Sequence, residues 1–346
     1  MAKNSNMHAA KKNQNDEFYT QLADIESEVM RYKDQFKGKV VFCNCDDPAQ
    51  SNFWKFFELN FDNFGLKKLM STHFDENQQS YKLEIIGDLD GDGKVTSKDI
   101  MRTPLKQNGD FRSDECVELL KEADIVCTNP PFSLFREYIE QLIKYKKKFL
   151  VIGNTNAITY KETFKLIKDG KVYLGLTYPK EFIQPDKSIK KFGNIGWFTN
   201  LEIKKKPNIP ILIKNYNPKD YPQYDNYAAI NVNKVKDIPY DYQGVIGVPI
   251  TILGLQYSDG YIHLLDELSN EMRYEIVALG NSRDNFTPTK DYINPKKHTS
   301  SGVISGNAIN CVLAIKMNSI PTGIWYSSDN EPILFAPYAR VLIKKI

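Results

Sequence analysis

The chain has 346 residues, of which 41% are hydrophobic and 12% aromatic, which is enough to bury a sizeable core and argues against disorder. No apolar stretch approaches the roughly 20 residues that a membrane-spanning helix needs, and the polar amino terminus lacks a signal-peptide core, so no membrane partner is expected. Five cysteines without a Cys-x-x-Cys pair and four scattered histidines argue against a zinc site and favour a reducing cytoplasm.

Charge is distributed unevenly behind a net charge of only +3. Residues 1–143 contain 18 Lys and Arg against 25 Asp and Glu, a balance of −7, and residues 144–346 contain 28 against 18, a balance of +10. An acidic half beside a basic half fits a cofactor domain followed by a surface that meets phosphates. A lysine-rich surface exposed to solvent explains the same counts, so charge leaves both interpretations open.

The first part of the chain is predicted to alternate between helices and buried strands, which is the pattern of an α/β sheet. A polar segment at 1–15 is predicted to be a flexible tail. Apolar residues at helical or strand spacing then predict a helix at 17–32, a strand at 39–45, a helix at 51–57 and strands at 66–75 and 81–86. An acid at the end of the second strand of such a sheet commonly binds ribose hydroxyls, which makes Asp75 a candidate.

Residues 88–99 contain carboxylates at the spacing of a calcium-binding loop. Asp88, Asp90, Asp92 and Asp99 occupy positions 1, 3, 5 and 12, and Gly93 occupies position 6. The loop ends in Asp rather than the usual bidentate Glu, and the segment before it is predicted to be a strand rather than a helix. An acidic, glycine-rich hairpin turn without an ion explains the same residues, and any ion would be structural.

A buried strand at 125–127 ends at Pro130 and Pro131, because two prolines remove backbone donors and terminate the hydrogen-bond ladder. Asn129 therefore lies at the carboxyl end of a strand, where open α/β sheets bind their ligands. Ser133 is predicted to cap the amphipathic helix that follows at 134–145. Further elements are predicted at 113–121 (helix), 148–153 (strand), 163–168 (helix) and 172–176 (strand).

This turn can present two hydrogen-bond acceptors side by side. The amide oxygen of Asn129 and the carbonyl oxygen of Pro130 suit an exocyclic amine with two hydrogens, such as adenine N6, while Phe132 offers a stacking surface. Accepting both protons directs the nitrogen lone pair toward an electrophile. An ordinary loop in which Asn and Pro terminate a strand is the alternative.

Asn129-Pro130-Pro131-Phe132 resembles the catalytic motif of amino-group DNA methyltransferases that use S-adenosylmethionine. Other stretches resemble the adenine-specific EcoRI-type branch of that family, namely Cys-Asn-Cys-Asp-Asp-Pro at 43–48, Trp-Phe-Thr-Asn at 197–200, Gly-Val-Ile-Gly-Val-Pro-Ile-Thr at 244–251 and Tyr-Ala-Arg-Val-Leu-Ile at 338–343. Most of the family has a glycine-rich turn after the first strand, which this chain lacks. The resemblance implies that Cys43, Asn44 and Asp46 contact the cofactor there instead.

The resemblance also implies roles for residues elsewhere. Tyr19 and Thr20, before the first helix, would contact the methionine end of the cofactor, although Thr20 also fits a helix cap. Asp110 and Phe111 would bind the cofactor's adenine, with a plain turn as the alternative for Asp110. Trp197 would help to hold an extruded base, with core packing as its alternative.

Residues 204–207 (Lys-Lys-Lys-Pro) mark a predicted domain edge, beyond which loops contain Tyr, Asn, Lys and Arg. Such loops can contact phosphates and base edges, and we select Arg283, Lys296 and Lys297 as DNA-contact candidates. The resemblance implies a doubly wound, seven-stranded α/β methyltransferase sheet in a domain at 1–205, followed by a DNA target-recognition region at 206–346.

The predicted activity is site-specific methylation of adenine N6 in double-stranded DNA, with S-adenosylmethionine as cofactor, in a restriction-modification system or as an orphan enzyme. A cognate restriction endonuclease would share the recognition sequence without binding directly. Methylation of another amine (cytosine N4, an RNA adenine or a protein glutamine) remains an alternative, as does a non-catalytic DNA-binding protein. No covalent enzyme intermediate is expected, so Cys127 need not be a nucleophile.

Overall fold

The computed structural model describes residues 19–45, 47–75, 78–184, 186–204, 206 and 208–346, so the predicted tail at 1–15 and Asp46 lie outside the described residues. The chain forms two compact units. The first contains the described residues up to Ala157 together with Leu174–Ile203, and the second contains Ile158–Tyr173 and Lys204–Ile346.

The division differs from a single boundary at residue 205, because the segment Ile158–Tyr173 belongs to the second unit. Hydrogen bonds within that unit explain the assignment. The side chain of Gln256 donates to the carbonyl oxygen of Ile167 at 2.8 Å, and Lys168 donates to that of Val277 at 2.6 Å. No local pattern predicts that this segment belongs to the second unit, since its partners lie about a hundred residues away.

The first unit is of mixed α/β composition. Its helices are α1 (Leu22–Val29), α2 (Asn52–Leu59), α3 (Phe61–Phe64), α4 (Asp114–Glu122) and α5 (Phe135–Lys144). Its strands are β1 (Tyr19–Thr20), β2 (Val40–Cys43), β3 (Lys68–His73), β4 (Tyr81–Ile85), β5 (Met101–Pro104), β6 (Ile125–Thr128), β7 (Lys148–Asn154), β8 (Tyr173–Leu174), β9 (Glu181–Ile183), β10 (Ile189–Lys191) and β11 (Ile195–Thr199). Short 3-10 segments follow at Met30–Gln35, Ser97–Asp99, Phe132–Leu134 and Thr155–Thr159.

The main sheet has eight strands in the described residues, in the order β5-β4-β3-β2-β6-β7-β11-β8, so the predicted number of seven was wrong. The four central strands run parallel, with β4 antiparallel to β3, β5 antiparallel to β4, and β11 antiparallel to β7. All residues of β2 and β6 are buried, as expected for apolar strands covered on both faces.

The strand order changes direction between β2 and β6. From β2 the chain passes through α2 to β3 on one side, and from β6 it passes through α5 to β7 on the other side. Because ligands of open α/β sheets bind outside the carboxyl ends of the strands at such a reversal, this edge is where a site is expected.

The predicted helix at 17–32 begins later than its periodicity suggested. Tyr19 and Thr20 pair as a strand with Ile183 and Phe182 of β9, and the small sheet β1-β9-β10 results. Helix α1 follows at Leu22–Val29 and continues as a 3-10 segment to Gln35. Strand pairing with a distant segment has overridden local helix propensity here.

The described residues of the second unit form one helix, α6 (Lys161–Lys168), and two sheets. Its strands are β12 (Ile211–Leu212), β13 (Ala229–Asn231), β14 (Val245–Pro249), β15 (Ile262–Asp266), β16 (Glu271–Leu279), β17 (Lys296–Thr299), β18 (Gly302–Ser305), β19 (Ile315–Lys316), β20 (Trp325–Ser327), β21 (Leu334–Phe335) and β22 (Arg340–Lys345). The sheets have the orders β12-β15-β16-β22-β14-β13 and β18-β17-β20-β21-β19, and 3-10 segments occupy Val235–Asp237, Ile250–Leu255 and Asn307–Cys311. Among the residues described, every helix is too short or too polar to traverse a bilayer.

Candidate active site

The carboxyl ends of β2 and β6 are joined side by side. Val41 and Phe42 of β2 pair in parallel with Ile125 and Val126 of β6. Just beyond, the backbone N–H of Cys45 donates to the hydroxyl oxygen of Thr128 at 3.2 Å. The residues that follow the two strands are therefore held next to each other at the reversal point of the sheet.

Asn129 lies directly after β6 and is 8% exposed. Pro130 is buried, while Pro131 and Phe132 are partly exposed, and Phe132 opens the 3-10 segment that precedes α5. The predicted cap at Ser133 was wrong, because Ser133 lies inside that exposed segment and Leu134 occupies the cap position without a side-chain hydrogen bond. Because the two prolines impose a turn, the helix begins at Phe135 rather than at the predicted residue 134.

Side chains of α5 contact both Asn44, directly after β2, and the segment at 108–111. The hydroxyl of Tyr138 donates to the amide oxygen of Asn44, and both side chains are buried. The ring of Phe111 meets that of Tyr138 edge-on at 5.0 Å, and Gln141 donates to the carbonyl oxygen of Phe111 at 3.0 Å. Burial raises the pKa of Tyr138, so its hydroxyl remains a donor.

Sequence reasoning missed Tyr138 and Gln141. Tyr138 falls on the apolar face of α5 with Phe135, Ile139 and Leu142. A tyrosine on an apolar helix face could have indicated this contact, since a buried tyrosine hydroxyl usually has a hydrogen-bond partner.

Thr20 is 1% exposed, and its carbonyl oxygen accepts a hydrogen bond from Asn52, the first residue of α2, at 2.8 Å. The hydroxyl of Thr20 and the amide nitrogen of Asn44 are among the buried polar atoms of the first unit that have no hydrogen-bond partner among the described residues. Leaving such groups unsatisfied costs about 1–3 kcal/mol each, so they are suited to a polar ligand.

Gly109 allows the segment at 108–111 to lie against the end of β3. It has φ +78°, and an added Cβ would overlap the carbonyl oxygen of His73, so only glycine fits. The N–H of Asp75 donates to the carbonyl oxygen of Asn108 at 3.2 Å. Asp75 and the predicted adenine-binding residues are therefore brought to one edge of the sheet.

The carboxylate of Asp110 is engaged by Arg112, which donates from Nε at 2.8 Å and from Nη2 at 2.5 Å. Hydrogen bonding by Asp110 raises the pKa of Arg112, which keeps this pair charged. A carboxylate has about four acceptor positions, so Asp110 retains acceptor capacity for a ligand amine while Arg112 fixes its orientation.

Trp197 does not fit the predicted contact with an extruded base. It lies in β11, is 0% exposed, and packs edge-on against Phe53 at 5.8 Å. An indole that has no exposed surface cannot stack on a base, so the alternative interpretation, core packing, is the one that agrees with the structure.

The acidic loop brings oxygens of Asp88, Asp90 and Asp99 within 4.8 Å of one another, but Asp92 is not part of this group. The loop uses its carboxylates internally. Asp88 accepts from the N–H groups of Gly91 and Gly93, both at 2.7 Å, and Asp99 accepts from Leu89 and Thr96, also at 2.7 Å. Backbone hydrogen bonds from Thr96 and Leu89 lower the pKa of Asp99. These hydrogen bonds hold the loop between β4 and β5 in shape.

The three DNA-contact candidates lie in the second unit. Arg283 is held by the side chain of Asp291 and by the carbonyl oxygen of Asn310 at 3.0 Å. Lys296 is exposed and Lys297 partly exposed, and both lie on β17. Of the three candidates, Arg283 is in an ion pair with Asp291, whereas Lys296 and Lys297 form no ion pair with a described residue.

A sheet of parallel central strands with Asn-Pro-Pro-Phe at its reversal point defines the class of α/β methyltransferases that act on amino groups. The family model of the adenine-specific methyltransferase EcoRI matches residues 6–345. The chain belongs to the EcoRI family of adenine-specific methyltransferases, and it is a DNA adenine methyltransferase. Membership implies S-adenosylmethionine as the methyl donor.

Curated relatives agree with this assignment. The chain is 47% identical to the Type II methyltransferase M.EcoRI of Escherichia coli, with 73% of this chain and 86% of the relative covered. It is 41% identical to M.MgeORF184P of Mycoplasma genitalium (75% and 86% covered) and 41% identical to M.MpnI of Mycoplasma pneumoniae (75% and 85% covered). No solved structure matches the chain significantly.

Replacing Tyr138 by Phe is expected to weaken S-adenosylmethionine binding by about fivefold, because one buried hydrogen bond contributes about 1 kcal/mol and its loss lets Asn44 turn. Isothermal titration calorimetry measures the affinity. Tyr145→Phe, at the end of the same helix, is the matched control and should bind like the wild type. Equal affinities for all three proteins would contradict a role for Tyr138 in positioning Asn44.

Proposed function

We propose that this protein methylates the N6 amine of adenine within a specific sequence of double-stranded DNA, in a restriction-modification system or as an orphan enzyme. The observation that carries the proposal is the position of Asn129. It follows β6 at the reversal point of the sheet, next to the end of β2, with the partly exposed Phe132 three residues later.

Asn129 and Pro130 would orient the target amine. Their two oxygens accept its two hydrogens, so the nitrogen lone pair points away from the turn, while Phe132 stacks on the base. S-adenosylmethionine supplies the methyl group when it is bound. Because the amine of a paired adenine is inside the duplex, the base must leave the stack at a cost of a few kcal/mol.

The residues of the site support direct transfer without a covalent enzyme intermediate. Cys127 is 0% exposed in β6, and burial raises the pKa of its thiol, so it is a poor nucleophile. Positioning of the two reactants is then the main contribution of the protein.

The unsatisfied polar atoms of Thr20 and Asn44 fit a cofactor with carboxylate, ammonium and hydroxyl groups. We propose that these two residues hold S-adenosylmethionine together with Tyr19, Cys43, Asp46, Asp75, Asp110 and Phe111. Asp75 would bind the ribose hydroxyls, and Asp110 and Phe111 would bind the adenine.

We also propose that the main sheet is doubly wound. The crossovers from β2 and from β6 run in opposite directions, and if both are right-handed they put α2 and α5 on opposite faces of the sheet.

We propose the first unit as the methyltransferase domain and the second as the DNA target-recognition region, acting in the cytoplasm. A cognate endonuclease would share the recognition sequence and need not contact the protein.

Arg283 is a weaker DNA-contact candidate than the two lysines of β17, because its guanidinium already binds Asp291. Calcium, if bound at residues 88–99, would have a structural role only.

The experiment is product analysis. The purified protein is incubated with labelled S-adenosylmethionine and with duplex DNA, RNA or total protein, and modified nucleosides and residues are identified by mass spectrometry. We expect N6-methyladenine in duplex DNA at one sequence. N4-methylcytosine, methylated RNA or methylated glutamine would instead support the other amine substrates, and absence of cofactor binding would indicate a DNA-binding protein.

The double substitution Lys296→Glu with Lys297→Glu is expected to weaken DNA binding by about tenfold or more at moderate salt, because each phosphate contact contributes through counterion release. Fluorescence anisotropy with a labelled duplex measures the affinity. The control is Lys121→Glu with Lys144→Glu in the first unit, which makes the same change in charge. If both double variants lose affinity equally, the effect reflects net charge and the contact assignment is wrong.

A further inference from the structure

Arg340 of the second unit is a buried cation whose hydrogen-bond partners are all neutral. It opens β22 and is 9% exposed. Its Nε donates to the amide oxygen of Asn231 and its Nη2 to that of Asn233, both at 3.2 Å, while Nη1 donates to the carbonyl oxygen of Tyr338 at 3.1 Å. The side chain is therefore rigidly placed by three acceptors.

No carboxylate oxygen of a described residue lies within 4.0 Å of this guanidinium, in contrast to Arg112 and Arg283, which both form ion pairs. Burial lowers the pKa of Arg340, yet a guanidinium stays charged in proteins. Burying a charge without a counter-charge is costly. A counter-charge supplied by a ligand would remove that cost.

Asn231 and Asn233 form one wall of a polar cleft of about 350 Å³ in the same unit, whose remaining lining residues are Lys214, Asn215, Asp220, Tyr221, Pro222, Val232 and Asp237. The amide oxygen of Asn233 accepts from Arg340 and, at 3.1 Å, from the amide nitrogen of Asn231. Because its oxygen is engaged, Asn233 has only its N–H groups to offer a ligand, and the cleft wall therefore presents donors backed by a positive charge.

The acids of the cleft do not supply the missing charge. Asp237 is paired with Lys214 at 2.9 Å. Asp220 is exposed and forms no ion pair with Arg340. Tyr338, whose carbonyl oxygen accepts from Arg340, is 93% exposed, so its aromatic ring is available to stack on a nucleotide.

We propose that the wall formed by Asn231 and Asn233, with Arg340 behind it, binds a phosphate group, and that this group is a backbone phosphate of the DNA substrate. The inference rests on the proposed function, because the phosphate source is the duplex. A contact of this kind fixes the register of the protein on DNA without reading sequence.

The test replaces Asn233 by Asp, which places a carboxylate next to Arg340 and supplies the counter-charge internally. We expect DNA affinity to fall about tenfold or more, and the slope of log affinity against log salt to decrease in magnitude by about 0.9, the value for one phosphate. The thermal midpoint should not fall, because the buried charge gains a partner. Asn63→Asp on α3, an exposed site with the same charge change, should leave the slope unchanged.

A second variant, Arg340→Gln, should show the same loss of slope, and far-ultraviolet circular dichroism establishes that it is folded. If Asn233→Asp binds DNA with the affinity and the salt slope of the wild type, the phosphate site is wrong. Adenine methylation by the wild type would be unaffected by that result, so failure of this inference is distinct from failure of the proposed function. In a second experiment, inorganic phosphate is added to the wild type and to Asn233→Asp, and the thermal midpoint of each protein is measured. If it raises the wild-type thermal midpoint but not that of Asn233→Asp, with equal DNA slopes, the site binds free phosphate and the DNA assignment is wrong.

Discussion

Asn129→Ala is expected to lower the rate of methyl transfer to adenine by at least about a hundredfold, the usual scale for losing one preorganised group in a reacting site. The alanine removes one of the two oxygens that we propose accept from the amine, so the nitrogen would no longer be held in place. S-adenosylmethionine affinity should stay largely unchanged, because the cofactor candidates are other residues. Single-turnover methylation of a duplex measures the rate, and calorimetry measures the affinity.

Ser133→Ala is the matched control for this experiment. Ser133 is exposed in the same turn, four residues after Asn129, and its hydroxyl has no assigned role, so its rate should equal that of the wild type. An unchanged rate for Asn129→Ala would reject the assignment of the turn as catalytic. Loss of both cofactor binding and transfer would indicate a structural role for the asparagine.

Glu28→Ala is expected to lower the free energy of unfolding by about 3 kcal/mol or more, because several buried donors would lose their acceptor. The Glu28 side chain is 0% exposed. Its carboxylate accepts from the hydroxyl of Tyr32 at 2.9 Å, from the N–H of Leu176 at 2.8 Å, and from both the N–H and the hydroxyl of Thr177 at 2.7 Å. Glu26→Ala, exposed on the same helix, is the control, and urea unfolding is the measurement.

Glu28 also predicts a pH dependence. Burial raises the pKa of its carboxyl, against the hydrogen bonds from Leu176, Thr177 and Tyr32, which lower it. The folded state then keeps a proton that the unfolded chain loses near its pKa of about 4.3. The contribution of Glu28 to unfolding free energy therefore decreases as pH rises from that value through the folded pKa.

Glu28→Gln cannot titrate at this position, so its unfolding free energy should lack this decrease. Urea unfolding of both proteins between about pH 4.5 and pH 7 checks the sign. A difference between wild type and Glu28→Gln that is independent of pH would contradict the raised pKa. A similar loss of stability in Glu26→Ala and Glu28→Ala would show that the buried hydrogen bonds contribute little.

Strand β6 and the turn after it illustrate what could be predicted. Three consecutive apolar residues followed by two prolines define a buried strand and its end within eight residues, and the structure has β6 there, at Ile125–Thr128. The start of α2 is equally local. A helix was predicted from about residue 51, and the hydroxyl of Ser51 caps it by accepting from the N–H of Phe53 at 3.2 Å. Ser133 failed as a cap because the Pro-Pro turn, rather than the serine, sets where α5 begins.

Other expectations failed because their causes lie far away along the chain. Tyr19 and Thr20 form a strand only because residues 182 and 183 pair with them. Trp197 was predicted to contact an extruded base, yet Phe53 and the surrounding sheet enclose it completely. The orientation of Asn44 depends on Tyr138, 94 residues later, and no local pattern connects the two.

The sequence by itself determined the apolar strands, their ends, and the turn that carries Asn129, because these depend on side-chain periodicity and on prolines within a few residues. Only the tertiary structure decided that the described residues form a main sheet of eight strands, that Glu28 accepts from residues 148 and 149 positions away, and that Arg340 is buried with no carboxylate of a described residue close enough for an ion pair. The physical reason is that burial and pairing of polar groups are set by contacts between distant segments, which no local pattern encodes.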